Sequence, residues 1–180
     1  MVKDDVLTLD LLTKKKVDEA NNHKRARDRY TLDAKNWASK RDLYRDRSKQ
    51  LYAEAQVVKG QRDAFNAKVK ELKAKREECR IKATELKDTR GPGYFEARSK
   101  SDEYHQQMMS YNEKGQTAHQ RYTELIEQSN KDRAAADDAH NKSVECRRAA
   151  DEEHRLFVEA VKAIEKLRDN IPDFDLEDDA

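Results

Sequence analysis

Steps of four and three residues from Tyr30 land on Ala34, Trp37, Arg41, Tyr44, Ser48, Leu51, Ala55, Val58, Arg62, Phe65, Val69, Leu72, Arg76, Cys79, Ala83 and Leu86. The same stepping from Tyr94 passes through Ala97, Ser101, Tyr104, Met108, Tyr111, Gly115, Ala118, Tyr122 and Leu125, and continues across Ser129 and Asp132 to Ile164, Leu167 and Ile171. A seven-residue repeat held for about eight heptads on the first side and about eleven on the second predicts helices wound left-handed around a shared seam. On the first arm, every d position from Tyr30 to Leu86 is apolar or aromatic. Composition leaves one competing outcome: 42% of residues are charged and mean hydropathy is -1.22, as in a disordered chain. The net charge is only +1, however, and four Gly and two Pro do little to keep 180 residues out of helix. Periodicity therefore predicts an all-α protein, a long antiparallel two-helix coiled-coil hairpin.

The chain breaks at Asp88-Thr89-Arg90-Gly91-Pro92-Gly93, where turn formers stand between two helix-permissive arms. Pro92 suits the first position of a helix, where its missing N–H leaves no bond unmade. The expected divisions are an N-terminal segment at 1–9, a first helix at 10–88, a turn at 89–93, a second helix at 94–170, and a disordered acidic tail at 171–180. A turn this short makes the arms antiparallel, and pairing Leu86 with Tyr94 sets a register in which partner numbers sum to 180. Large residues then oppose small ones: Phe65 meets Gly115, Arg62 meets Ala118, Trp37 meets Ser143 and Tyr30 meets Ala150. Alternation of size is what close packing demands of a specified register. Toward the termini Arg27 is expected opposite Glu153, and His23 opposite Phe157. The weakest layers pair Ser48 with Asp132 and Leu51 with Ser129, where Arg47 or Lys49 is expected to neutralise Asp132.

Arg27, Arg41, Arg62 and Arg76 occupy a positions and are followed by Asp28, Asp42, Asp63 and Glu77. Their spacings of 14, 21 and 14 residues recur in His105, His119, His140 and His154 at e positions of the second arm, so each Arg lies beside one His. Two readings follow. The aliphatic stems cover the seam while the guanidinium groups stack on neutral imidazoles or reach nearby acids, or low pH charges the histidines against the arginines and loosens the pairing. The histidines are too widely spaced to converge on one metal ion. Cys79 and Cys146 face positions many turns apart, which rules out an intramolecular disulfide in this register.

No phosphate-cradling glycine loop or dinucleotide fingerprint is present, and a two-helix surface provides no enclosed cleft, so the expected protein is not an enzyme and needs no cofactor. Asp173-Phe174-Asp175-Leu176 matches an acidic phosphatase nucleophile motif only superficially, because it lies in an acidic tail rather than at the end of a buried strand. No apolar run is long enough to span a bilayer, and no charged-then-apolar leader is evident, so a cytoplasmic protein without membrane or small-molecule partners is expected. Charge is uneven along the chain. Residues 14–90 carry 24 Lys and Arg against 13 Asp and Glu, residues 94–168 carry 13 against 15, and residues 169–180 carry six acids and no base. The first arm is thus basic, and Lys14, Lys15, Lys16, Lys24, Arg25, Arg29, Lys40, Arg45 and Lys49 are the candidate contacts to RNA phosphates.

The segment Gln61 to Leu72 and the acid-acid-x-His units ending at His105, His140 and His154 resemble an archaeal family of coiled-coil proteins. Its members are sometimes labelled phosphoserine phosphatase, and the family is distantly similar to a eukaryotic coiled-coil protein that associates with polysomal messenger ribonucleoprotein. The resemblance covers roughly residues 40–168. It implies association with RNA or translation and carries no catalytic residues. The functional expectation is a non-enzymatic coiled coil that associates with RNA or the ribosome through its basic arm; the alternative is a structural spacer or a chaperone-like adaptor for protein partners.

Overall fold

The computed structural model describes residues 2–169, with side chains from residue 7 onward. It consists of two helices, α1 (Val2–Glu85) and α2 (Pro92–Asp169), with no strand among the described residues. The fold is an all-α helical hairpin. α1 starts at Val2, so residues 2–9 of the separate N-terminal segment expected at 1–9 are its opening turns, and it stops at Glu85 rather than residue 88. α2 starts at Pro92, two residues before the expected 94, with the proline where its missing donor costs nothing. The acidic tail expected at 171–180 lies outside the described residues.

The turn closes through short-range bonds. Leu86 N–H donates to the Lys82 carbonyl at 3.1 Å, Arg90 N–H to Leu86 at 3.3 Å, and Thr89 Oγ1 to the same Leu86 carbonyl at 2.9 Å. The left-handed residue is Arg90, with φ of 43°, and no glycine of the turn takes a positive φ. Gly93 packs close to the end of α1: a Cβ there would stand 3.3 Å from Leu86 Cδ1, so the leucine side chain would have to give slightly.

The helices form two compact units, residues 1–43 with 135–180, and residues 44–134. In the second unit Gly115 sits against Phe65, as the size alternation predicts, with the site of a Gly115 Cβ 3.8 Å from Phe65 Cβ and 3.2 Å from Asn66 Oδ1. Phe65 and Tyr111 rings tilt together at 6.2 Å. In the first unit Ser143 Oγ donates to the Ala34 carbonyl at 2.9 Å, and Ala20, Ala160 and Ile164 form a buried cluster flanked by Val17, Phe157 and Val161. Of the twelve buried apolar residues among those described, nine are alanines, whereas Trp37, Phe65 and Phe157 are only half-buried. Two helices cannot enclose a ring on all sides, so alanine brings the backbones close and rings cover the flanks of the seam.

The seam arginines depart from the expected pairing near the termini. Arg27 lies 5.8 Å from the Phe157 ring centroid and His23 Nδ1 stands 2.6 Å from Glu153 Oε2, the reverse of the expected partners. Arg62 likewise lies over Tyr122, at 5.4 Å, rather than toward Ala118. Both arginines lean toward the N-terminus of their own helix, the direction helical side chains take, which on an antiparallel partner means one turn further along. Arg27, Arg41 and Arg62 each donate to the aspartate that follows, with Arg27 Nη2 to Asp28 at 2.7 Å, Arg41 Nε to Asp42 at 2.8 Å, and Arg62 Nη2 to Asp63 at 2.7 Å. Arg27 and Arg62 thus lie over aromatic rings, and Arg27, Arg41 and Arg62 reach acids. Among the imidazoles, His154 stacks on Phe157 at 6.4 Å.

The polar layer is built as a closed set. Ser48 Oγ donates to the Ser129 carbonyl at 3.0 Å, and Ser129 Oγ donates to the Ser48 carbonyl at 2.9 Å. Ser48 thus faces Ser129 rather than Asp132, since a knob seats between two layers of the facing helix. As expected, Arg47 neutralises Asp132, with Nε 3.1 Å from Oδ2. That oxygen is buried, and the Arg47 N–H is not aligned to donate to it, so charge is balanced while a lone pair stays unfilled.

Gly60 faces open space on α1, so Gly60→Ala is expected to stabilise by about 1 kcal/mol through helix propensity, whereas Gly115→Leu, forced against Phe65, costs about 1–3 kcal/mol. Urea-unfolding midpoints shifting in those opposite directions would bear out the packing. The Asp132 side chain is 8% exposed and Arg47 59%. Asp132→Ala, which leaves no buried charge behind, is therefore expected to stabilise by about 1 kcal/mol, and Arg47→Ala to destabilise by about 1–2 kcal/mol, because it strands the carboxylate. Equal losses in both variants would refute this asymmetry.

Candidate nucleic-acid interface

The nine cations singled out on α1 divide between the two units. Lys14, Lys15, Lys16, Lys24, Arg25, Arg29 and Lys40 belong to the first and Arg45 and Lys49 to the second. Lys16 is already engaged with an acid. It lies two heptads before Tyr30, on the seam, is half-buried, and its Nζ donates to Glu19 Oε2 at 2.6 Å. That bond holds the Glu19 carboxyl below its ordinary range. Lys40 is exposed but engaged: its Nζ lies 4.3 Å from the Trp37 ring centroid, and Lys142 of α2 approaches the same ring at 4.7 Å. Two ammonium groups on one indole are held by its negative faces.

Lys14, Lys15, Lys24, Arg25 and Arg29 are exposed and have no ion-pair partner among the described residues. Arg25 and Arg29 are one turn apart on the same face of α1. A chain that pairs Lys68 and Lys75 with Glu71, Lys100 with Glu96, and Arg155 with Glu152 and Glu159 has acids in plenty for local pairing. The first unit leaves this set unneutralised, as a phosphate-binding surface requires.

In the second unit Arg45, Lys49 and Tyr52 follow one another at i, i+4 and i+7 along α1. Lys49 and Tyr52 border a groove of about 350 Å³ whose other side is Asn130 and Arg133 of α2, with the Ser48–Ser129 layer at its floor. Tyr52 is 55% exposed. Cations beside a bare ring and an amide combine phosphate contact with a surface on which a base can stack. Tyr52, Asn130 and Arg133 were not singled out from sequence. The available signal was a large aromatic on the flank of the seam, opposite an arginine at the matching position of α2.

Cys79 and Cys146 are both half-buried free thiols. No group of three or more His, Cys, Asp or Glu side chains converges among the described residues, and no described helix is long and apolar enough to cross a membrane.

A family of unknown function, DUF7121, matches residues 94–179, which takes in α2 apart from Pro92 and Gly93. No curated protein and no solved structure matches the chain.

Proposed function

We propose that this chain is a non-enzymatic coiled-coil protein that associates with RNA, free or within the ribosome, through the outer surface of α1. The observation that carries the reading is the set of exposed cations Lys14, Lys15, Lys24, Arg25 and Arg29, gathered within sixteen residues of α1 and without acidic partners among the described residues. Phosphate contacts of this kind position a protein on RNA without reading sequence. The groove bordered by Lys49, Tyr52 and Arg133 supplies the complementary chemistry, a ring for an unpaired base beside cations for its phosphates. The resemblance to archaeal coiled-coil proteins, and through them to a polysome-associated one, points in the same direction. A cytoplasmic location fits this role. The adaptor reading rests on Leu7 and Leu11, 68% and 69% exposed near the start of α1, where a protein partner would find apolar contacts.

Sedimentation with ribosomal subunits tests the proposal. The chain is expected to co-sediment at low salt and to dissociate as salt rises, since each phosphate contact contributes about 0.7 to the log–log salt slope on single strands. Absence from RNA and ribosomal fractions at low salt would remove this reading and leave the adaptor. Replacing Lys14, Lys15, Lys24, Arg25 and Arg29 by Ala is expected to lower RNA affinity by at least about ten-fold and flatten the salt slope, with helicity by circular dichroism unchanged. Tyr52→Ala is expected to weaken single-stranded RNA by about 1–3 kcal/mol and leave duplex RNA unaffected, because only an unpaired base can stack on the ring.

A further inference from the structure

The turn end of the second unit holds a groove that lies apart from the surfaces just described. It has a volume of about 290 Å³ and is bordered by the last turns of α1, the loop, and the first turns of α2. Arg76, Arg80, Lys87 and Arg98 line it, against the single carboxylate of Asp102. These cations are only loosely committed. Arg80 reaches Glu77 at 3.2 Å in a pair exposed by about 60% on each side. Arg98 Nη1 donates to the Tyr94 hydroxyl at 3.2 Å, and Lys87 has no ion-pair partner among the described residues.

Arg76 is the decisive member. The other three seam arginines donate to the aspartate that follows each of them, whereas Arg76 is followed by Glu77, which pairs with Arg80. Its Nε is buried and has no hydrogen-bond partner. A buried guanidinium N–H without an acceptor is costly to maintain, and the acceptor it suits is an anionic oxygen. α2 begins beside the groove with no acid in its first turn, so the positive end of its dipole adds to the same field.

We infer that this groove takes phosphate groups of an RNA backbone, a second contact at the tip of the hairpin; the inference rests on the RNA reading above. Its volume is at the low end of the roughly 300 Å³ from which small-molecule pockets begin, which suits a phosphate better than a whole nucleotide. Guanidinium forks from both helices match the oxygens of a phosphodiester, and the groove opens at the surface, as a continuous strand requires.

The test uses the full chain and a labelled single-stranded RNA, with affinity measured across a salt series. Arg80→Gln, Lys87→Gln and Arg98→Gln are combined, and Arg76 is kept because it is part of the seam. The triple variant is expected to bind about ten-fold more weakly at low salt, with a salt slope reduced by about 2 for three lost contacts, and to keep its thermal midpoint. RNA-induced amide shifts in the unmodified chain, clustering at residues 98–102, provide the readout that depends on no variant. If the triple variant binds like the parent and those amides do not move, while the Lys14, Lys15, Lys24, Arg25 and Arg29 variant loses RNA, the groove proposal is overturned and the RNA reading stands. If the parent chain binds no RNA at low salt, the RNA reading itself fails. Shifts of the same amides with inorganic pyrophosphate, without RNA binding, would overturn RNA as the source in favour of a free phosphate ligand.

Discussion

Two helices alone have no third element to cover what they cannot bury, and every other property of this chain follows from that limit. A ring projecting from one helix needs a gap on the other, so Phe65 requires Gly115, and the closest approach is left to alanine and serine. Where a wider core would take leucine, this seam takes Ala34, Ala55, Ala118, Ala136 and Ala139. The stabilisation gained per layer is modest, and spreading it over many layers is what holds the helices together.

The same limit explains the charged residues in the seam. An arginine at an a position of a two-stranded coil can lay its stem over the seam and still bring its guanidinium to the edge, where Asp28, Asp42 and Asp63 wait one residue on. Arg27 and Arg62 also find a ring one turn beyond their nominal partner, in Phe157 and Tyr122. The Ser48–Ser129 pair with Asp132 and Arg47 is a different device. Its reciprocal bonds to backbone carbonyls can form only when these two serines face each other, so the layer gives up apolar contact and in return penalises a slipped register.

Charge on the outer surfaces is organised by the same geometry. Helix positions away from the seam are free of packing duties, and on α1 they hold Lys14, Lys15, Arg25 and Arg29 without ion-pair partners among the described residues, whereas Lys75, Lys100 and Lys142 each pair with an acid one turn away. Positions flanking the seam form grooves with the partner helix, and there Lys49 and Tyr52 meet Arg133, and Arg80 meets Arg98. Cations are thereby presented in two forms, along the outer face of α1 and in grooves that combine residues from both helices.

The sequence alone determined that the chain is helical, that it turns back near residues 88–93, and that Phe65 meets Gly115, because heptad spacing, turn chemistry and side-chain volume are local properties of a sequence. It also marked α1 as the basic arm and Arg47 or Lys49 as the partner of Asp132, of which the structure selects Arg47. Only the tertiary structure decided that Lys16 is tied to Glu19 at the seam, that Arg27 turns to Phe157 and leaves Glu153 to His23, and that Arg90 rather than a glycine takes the left-handed turn position. It also assembled the two cationic grooves. The reason is directional: a heptad letter says which way a residue faces, but the lean of a long side chain, and which flanking cations meet across the seam, depend on the backbone of the opposite helix.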